Sequence, residues 1–366
     1  MLGSFGSWVV PFQTGIFVDE FALTLSESGT LGTVEIGAMA VVMLICAPAL
    51  RRWKRSRVAT IGALMAASAQ AATFWTGQYE ALIGARLLTG VGCGLIYAAV
   101  LASTAAVSEP DRLMGFGQVL MNIAFALIFF VAPLIVAVWS GPAIFLAFAL
   151  LTLALIPTFS ALPLGKPSNE ESSKVGDERT RITASPVAMH FFAVSLLNLG
   201  FGAAWGFAER AGTTIGLSPA AIGFLFSIST IAMIVGSLGV AIMGTRFGRA
   251  WPMLLAAIGC GVSGPLLMIG QDIVVYAAAL MLFVTTNQFI APYFMAGVSA
   301  QIESSGALSS MTGGVTFLTY SLGVGAGGYI IETASYAANG WFVFSVCVAS
   351  GIVFFVNDKF IIKKAA

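Results

Sequence analysis

Residues 163–185 read PLGKPSNEESSKVGDERTRITAS. Four basic residues (Lys166, Lys174, Arg179, Arg181) and four acidic ones (Glu170, Glu171, Asp177, Glu178) crowd this stretch among Ser and Pro. Such a segment cannot bury enough apolar surface to fold alone and reads as a solvated linker. The rest of the chain is its opposite. Of 366 residues, 58% are hydrophobic and only 9% charged, whereas a soluble domain carries about 25% charged residues. Too few charges remain to cover a soluble surface, so the flanks belong in lipid. Three units follow: residues 1–162, the linker 163–185 and residues 186–366.

Each flank is then cut into spans of about 20 apolar residues. Eleven polar or turn-rich breaks, among them Ser26–Thr30, Gly77–Glu80, Ala211–Pro219 and Glu332–Gly340, predict twelve spans. The first runs from near Met1 to Leu25 with no Lys or Arg before it, unlike the basic start of a signal peptide, and reads as a true helix. Placing Met1 in the cytoplasm puts fifteen of the 17 Lys and Arg on the inner side and none in the outer loops. By the positive-inside rule, both termini are cytoplasmic. The expected class is an all-α, multi-pass inner- or plasma-membrane protein.

Several functions are excluded at this level. A net charge of +1 leaves no basic face for nucleic acid. The single histidine, His190, and four cysteines dispersed in apolar runs make no metal site, and no catalytic or nucleotide-binding motif occurs. No cofactor, metal or enzymatic activity is expected.

The two flanks echo one another at a lag of about 190 residues, as internal repeats do. Phe17-Val18-Asp19-Glu20 parallels Phe207-Ala208-Glu209-Arg210, and Arg52-Trp53-Lys54-Arg55 parallels Arg246-Phe247-Gly248-Arg249. Six spans per half make this a parallel repeat, related by an axis along the membrane normal. Together with Arg86-Leu87-Leu88-Thr89-Gly90-Val91-Gly92-Cys93-Gly94 in span four, this pattern resembles the major facilitator superfamily. The resemblance implies two six-helix bundles around a central cavity and a conformational latch at Arg52, Arg55, Arg246 and Arg249. The acidic residue of the family's loop signature is replaced by Arg51 in one half and Thr245 in the other. Span five carries Ala132-Pro133 rather than the glycine-proline motif of drug/proton antiporters.

An ionisable residue within a span is costly and marks a pathway or a pair. Asp19, Glu20, Glu35, Arg86, Glu209 and Arg210 fall toward the outer ends of spans one, two, four and seven, and are expected to form one proton-coupling network. A carboxylate's proton affinity depends on whether an arginine stands beside it, so making or breaking Asp19 or Glu20 against Arg86 would couple protons to transport. Residues near span ends, Glu20 and Arg210 above all, also fit simple interfacial capping.

Gln13, Gln118, Asn122, Asn198, Asn287, Gln288, Tyr293 and Tyr320 are the uncharged candidates for a substrate cavity. Spans six, nine and twelve lack amides and charges in their cores and are expected to face lipid. Interhelical hydrogen bonding is the other reading of these polar groups. The glycine pairs Gly90/Gly94 and Gly323/Gly327 suit close helix packing. The expected function is secondary active transport by alternating access, proton-coupled, with a small-molecule solute, protons and the lipid bilayer as partners and one chain as the working unit. Uptake of a polar or organic-anion solute, drug efflux and lipid flipping remain open between them.

Overall fold

The computed structural model describes residues 2–46, 53–104, 110–162, 184–244, 246–299 and 306–365. Within lipid every backbone polar group needs an internal partner, and the described residues are accordingly helical. A 3-10 turn (Leu2–Ser4) leads into α1 (Phe5–Asp19), followed by α2 (Leu25–Cys46), α3 (Arg55–Trp75), α4 (Tyr79–Thr104), α5 (Pro110–Val138) and α6 (Ala143–Leu155), which continues as a 3-10 segment (Ile156–Ala161). The second set is α7 (Ala184–Trp205), α8 (Ala208–Thr214), α9 (Pro219–Met243), α10 (Ala250–Ile269), α11 (Ile273–Ser299), α12 (Gly306–Thr333) and α13 (Tyr336–Ala365). Among the described residues, eleven stretches are long and apolar enough to span a membrane. The shorter α1 adds a twelfth, and α7 with α8 forms the broken seventh. This is an integral, multi-pass membrane protein. One face of the molecule, here the terminal face, carries the start of α1 and the end of α13. The opposite face carries the α1–α2, α3–α4 and α5–α6 turns.

Packing repeats between the sets. In the first, α2 and α3 lie on α4, and α3 on α6; in the second, α9 and α10 lie on α11, and α10 on α13. The sets meet where α2 packs along α12 and α5 along α9. Glycines bring these helices close. Gly29 approaches the Val324 carbonyl and Gly328 the backbone of Leu25 across the α2–α12 seam. Gly90 and Gly94 let α4 touch the α2 backbone, and Gly323 and Gly327 let α12 touch α7.

Several boundaries differ from those read in the sequence. The first turn is at residues 20–24, and Ser26–Thr30 lie inside α2. A reciprocal capping box explains it: the Glu27 N–H donates to Thr24 Oγ1 at 3.2 Å, and the Thr24 N–H to the Glu27 carboxylate at 2.8 Å. Likewise the α12–α13 turn is only Ala334–Ser335, because Ser335 Oγ accepts from the Ala338 N–H and starts α13 at once. That places Asn339 within α13, buried, donating to the Ala203 carbonyl of α7. Span twelve therefore does not simply face lipid. Residues 163–183 of the expected linker lie outside the described residues.

Candidate functional site

The embedded charges resolve into two pairs rather than one network. Arg86 of α4 is fully buried and donates to Glu35 of α2 at 3.0 Å, and to Gln70 and Thr73 of α3 at 3.0 and 2.6 Å. Its guanidinium lies 5.0 Å from the Phe145 ring centroid and 5.9 Å from that of Phe17. This pair differs from the expected pairing with Asp19 or Glu20, for a geometric reason. Asp19 ends α1 on the opposite face, whereas Glu35 sits three turns inside α2, where Gly90 of α4 approaches its backbone.

The second pair joins the two halves. Arg210 of α8 holds both carboxylate oxygens of Asp19 at 2.7 Å. Glu209, next in chain, is buried, and its carboxylate rests against Gly15 of α1. The repeat-related segments 17–20 and 207–210 thus meet at the interface. A Ser26 N–H bond to Glu332 at 2.6 Å adds a further tie across the halves on that face. Glu20 joins neither pair; it is exposed, with its side chain over Gly141 of the α5–α6 turn.

A break in the seventh span positions Glu209 and Arg210. Helix α7 stops at Trp205, and α8 begins at Ala208. The Gly206 N–H returns to the Gly202 carbonyl, the Phe207 N–H to that of Ala204, and Tyr276 OH donates to that of Ala208. A broken membrane helix is tolerated where its freed groups are met in this way.

Between the bundles the middle of the molecule is aromatic. In the first half, Trp8 of α1 stacks on Phe125 of α5, ring centroids 5.3 Å apart. In the second, Trp205 and Phe201 of α7 and Phe283 of α11 form a parallel stack. The two sets touch where Trp8 meets Trp205 edge-on at 6.2 Å and where Phe12 and Phe129 meet Phe226. Two hydrogen bonds cross the same seam: Trp205 Nε1 donates to the Trp8 carbonyl and Tyr320 OH to that of Ser7.

Gln13 of α1 is buried facing the Glu35 carboxylate, but at a distance too long for a good hydrogen bond: neither atom of its amide has a partner within 3.5 Å, and one Glu35 oxygen has none either. Leaving a buried polar group unpaired costs about 1–3 kcal/mol, and such groups call for an explanation.

The other polar candidates are scattered. Gln118 and Asn122 bond each other at 3.2 Å along α5. Asn198 turns back to the Val194 carbonyl of its own helix, and Tyr293 donates to the Gly244 carbonyl that ends α9. Asn287 and Gln288 are half-buried on α11. Of the latch arginines, Arg55 opens α3 and Arg246 is exposed, while Arg249 precedes α10 near Asp358 of α13. Arg52 lies outside the described residues. Sequence reasoning missed Gln70, Thr73 and the rings of Phe125, Phe201, Trp205 and Phe283. An amide inside span three was a readable signal for Gln70. The rings had none, because apolar spacing is the same for core and site.

No curated protein matches the chain. Residues 1–208, more than half of it, match the family described as Major Facilitator Superfamily. The nucleoside transporter NupG is similar in structure, with a TM-score of 0.73 and 15% identity over 97% of this chain and 96% of that one. The xylose transporter XylE from E. coli, in a partially occluded inward-open conformation, aligns with a TM-score of 0.75 and 12% identity over 96% and 93%. The human organic anion transporter MFSD10 does so with a TM-score of 0.64 and 17% identity over 96% of each chain.

Proposed function

The chain belongs to the Major Facilitator Superfamily, and on that premise we propose that it is a proton-coupled secondary transporter of a small organic solute. Its two halves, 1–162 and 186–366, rock against each other around a midplane site while the segment 163–185 links them on the cytoplasmic side. The terminal face is cytoplasmic by the distribution of Lys and Arg, which makes the opposite face the outer one. A single chain carries both halves and acts alone.

The observation that carries this reading is the Asp19–Arg210 pair. It ties α1 of one half to α8 of the other on the outer face, with the buried Glu209 carboxylate against α1 beside it. Opening that face requires the pair to part. A proton taken up by Asp19 or Glu209 removes the charge that attracts Arg210 and favours parting, so proton binding and outer opening are linked through differential affinity for the two states. Glu35 and Arg86 work one layer deeper, where protonation of Glu35 would free Arg86 from its strongest partner.

Proteoliposomes with an imposed pH gradient test this. A nucleoside, xylose and an organic anion, the cargo named for the structural neighbours, are the first solutes to try. The gradient should accelerate uptake of one of them, and Asp19→Asn, Glu209→Gln and Glu35→Gln should uncouple it. Proton-coupled flux left unchanged by all three substitutions, and by Glu20→Gln, would contradict the coupling.

A further inference from the structure

We propose that the solute site lies between Trp8 and Trp205 and takes an uncharged, planar heteroaromatic solute with an amide-like edge. This rests on the transporter reading above and names its substrate class.

Three observations carry it. First, each half presents a flat aromatic surface to the other: the Trp8–Phe125 stack from one side, and the Trp205–Phe201–Phe283 stack, with interplanar angles of 11° and 8°, from the other. The tryptophan rings meet edge-on, at 82°, and the Trp205 Nε1–H donates to the Trp8 carbonyl. When the halves rock apart these rings lose each other, and a planar solute restores the lost contact by stacking. A pyranose offers only a puckered C–H face, which covers less of a ring than a planar solute does.

Second, Gln13, 1.4 turns beyond Trp8 on the same helix and so turned by about 140° from it toward α2, is buried against the Glu35 carboxylate with no amide hydrogen bond shorter than 3.5 Å, and one Glu35 oxygen has none either. A carboxamide offers one donor group and one acceptor, the complement of a lactam or carboxamide edge. Third, in this closed arrangement the two arginines embedded in the spans are engaged by carboxylates. Arg86 has no exposed surface and three hydrogen-bond partners, and Arg210 is held by Asp19. The ring partners of Trp8 and Trp205 across and beside the seam are Phe125, Phe129, Phe201 and Phe226, so a solute carrying a carboxylate or phosphate would meet no cation between the rings.

Calorimetric titration of the purified full-length protein in detergent, with no gradient, tests this with uracil, nicotinamide, nicotinate and xylose as probes. Nicotinamide and nicotinate share a ring and differ in charge. Uracil or nicotinamide should bind saturably, with nicotinate and xylose weaker by about tenfold or more. Trp205→Leu should weaken binding about tenfold, the scale of one lost stacking partner, and Trp205→Phe should keep most of it. Should Trp205→Leu fail to fold, Trp8→Leu carries the same prediction, and the ranking of probes on the unaltered protein decides by itself. Failure of both uncharged planar probes to bind, nicotinate binding as tightly as nicotinamide, or unchanged affinity in folded Trp205→Leu would each overturn the proposal. Because binding is read without a gradient, a protein that binds nicotinamide but couples no protons fails only the coupling reading. One that couples protons to xylose uptake fails only this one.

Discussion

Arg210 Nη1 sits 2.7 Å from both carboxylate oxygens of Asp19, and this contact fastens the first half of the chain to the second. The pair is wet, with the Asp19 side chain 59% exposed. Exposed pairs contribute about 0.2–1 kcal/mol. Asp19→Asn should therefore raise labelling of a cysteine placed at the buried Ala211 by about two- to fivefold with a membrane-impermeant maleimide. Exchanging the charges, Asp19→Arg with Arg210→Asp, should restore the lower rate.

The Arg86–Glu35 pair is the opposite case. Both side chains are buried, and removing one partner strands a charge at a cost of about 3–5 kcal/mol. Arg86→Ala should lower the thermal unfolding temperature in detergent sharply. Arg86→Lys should rescue little, since a lysine cannot fork to Glu35, Gln70 and Thr73 together. Glu35→Gln with Arg86→Met should be milder than either arginine substitution. Equal stability of Arg86→Lys and the unaltered protein would show that the fork is unimportant.

Two glycines separate stability from conformation. A Cβ at Gly92 would press into the Gly62 backbone within the first half, and one at Gly328 into the Leu25 backbone across the α2–α12 seam. Overpacking costs about 1–3 kcal/mol in either place. Gly92→Ala should lower stability and leave Ala211→Cys labelling alone. Gly328→Ala should instead wedge the halves apart on the Asp19 side and raise labelling.

Tyr320 OH donates to the Ser7 carbonyl at 2.7 Å across the same seam. Interhelical hydrogen bonds in membranes average about 0.6 kcal/mol, so Tyr320→Phe should change labelling by no more than about threefold. A larger change would mean that this hydroxyl does more than brace the closed state.

Much of this architecture was readable because lipid makes polar residues conspicuous. The glycine pairs Gly90/Gly94 and Gly323/Gly327 mark close helix contacts on composition alone. Arg86 and Arg210 stood out as embedded cations. Their actual partners were not readable, since a pairing depends on which helix faces are opposed. Asp19 meets Arg210 only because the pseudo-twofold brings two repeat-related segments together. The first turn was misplaced by reading Ser26–Thr30 as a break when Thr24 and Glu27 form a capping box. The aromatic surfaces were hidden for another reason: Phe201, Trp205 and Phe283 look like any apolar core until their stacking is seen.

The central claim is that the two halves part on the Asp19 side when carboxylates there are protonated. Pulsed electron-resonance distances between nitroxides at Trp139, exposed in the α5–α6 turn, and Gln271, exposed in the α10–α11 turn, measure that parting directly in reconstituted protein. A longer distance should gain population as pH falls, and Asp19→Asn with Glu209→Gln should hold that longer distance at neutral pH. One distance, the same at every pH and in the doubly neutralised variant, would contradict the account.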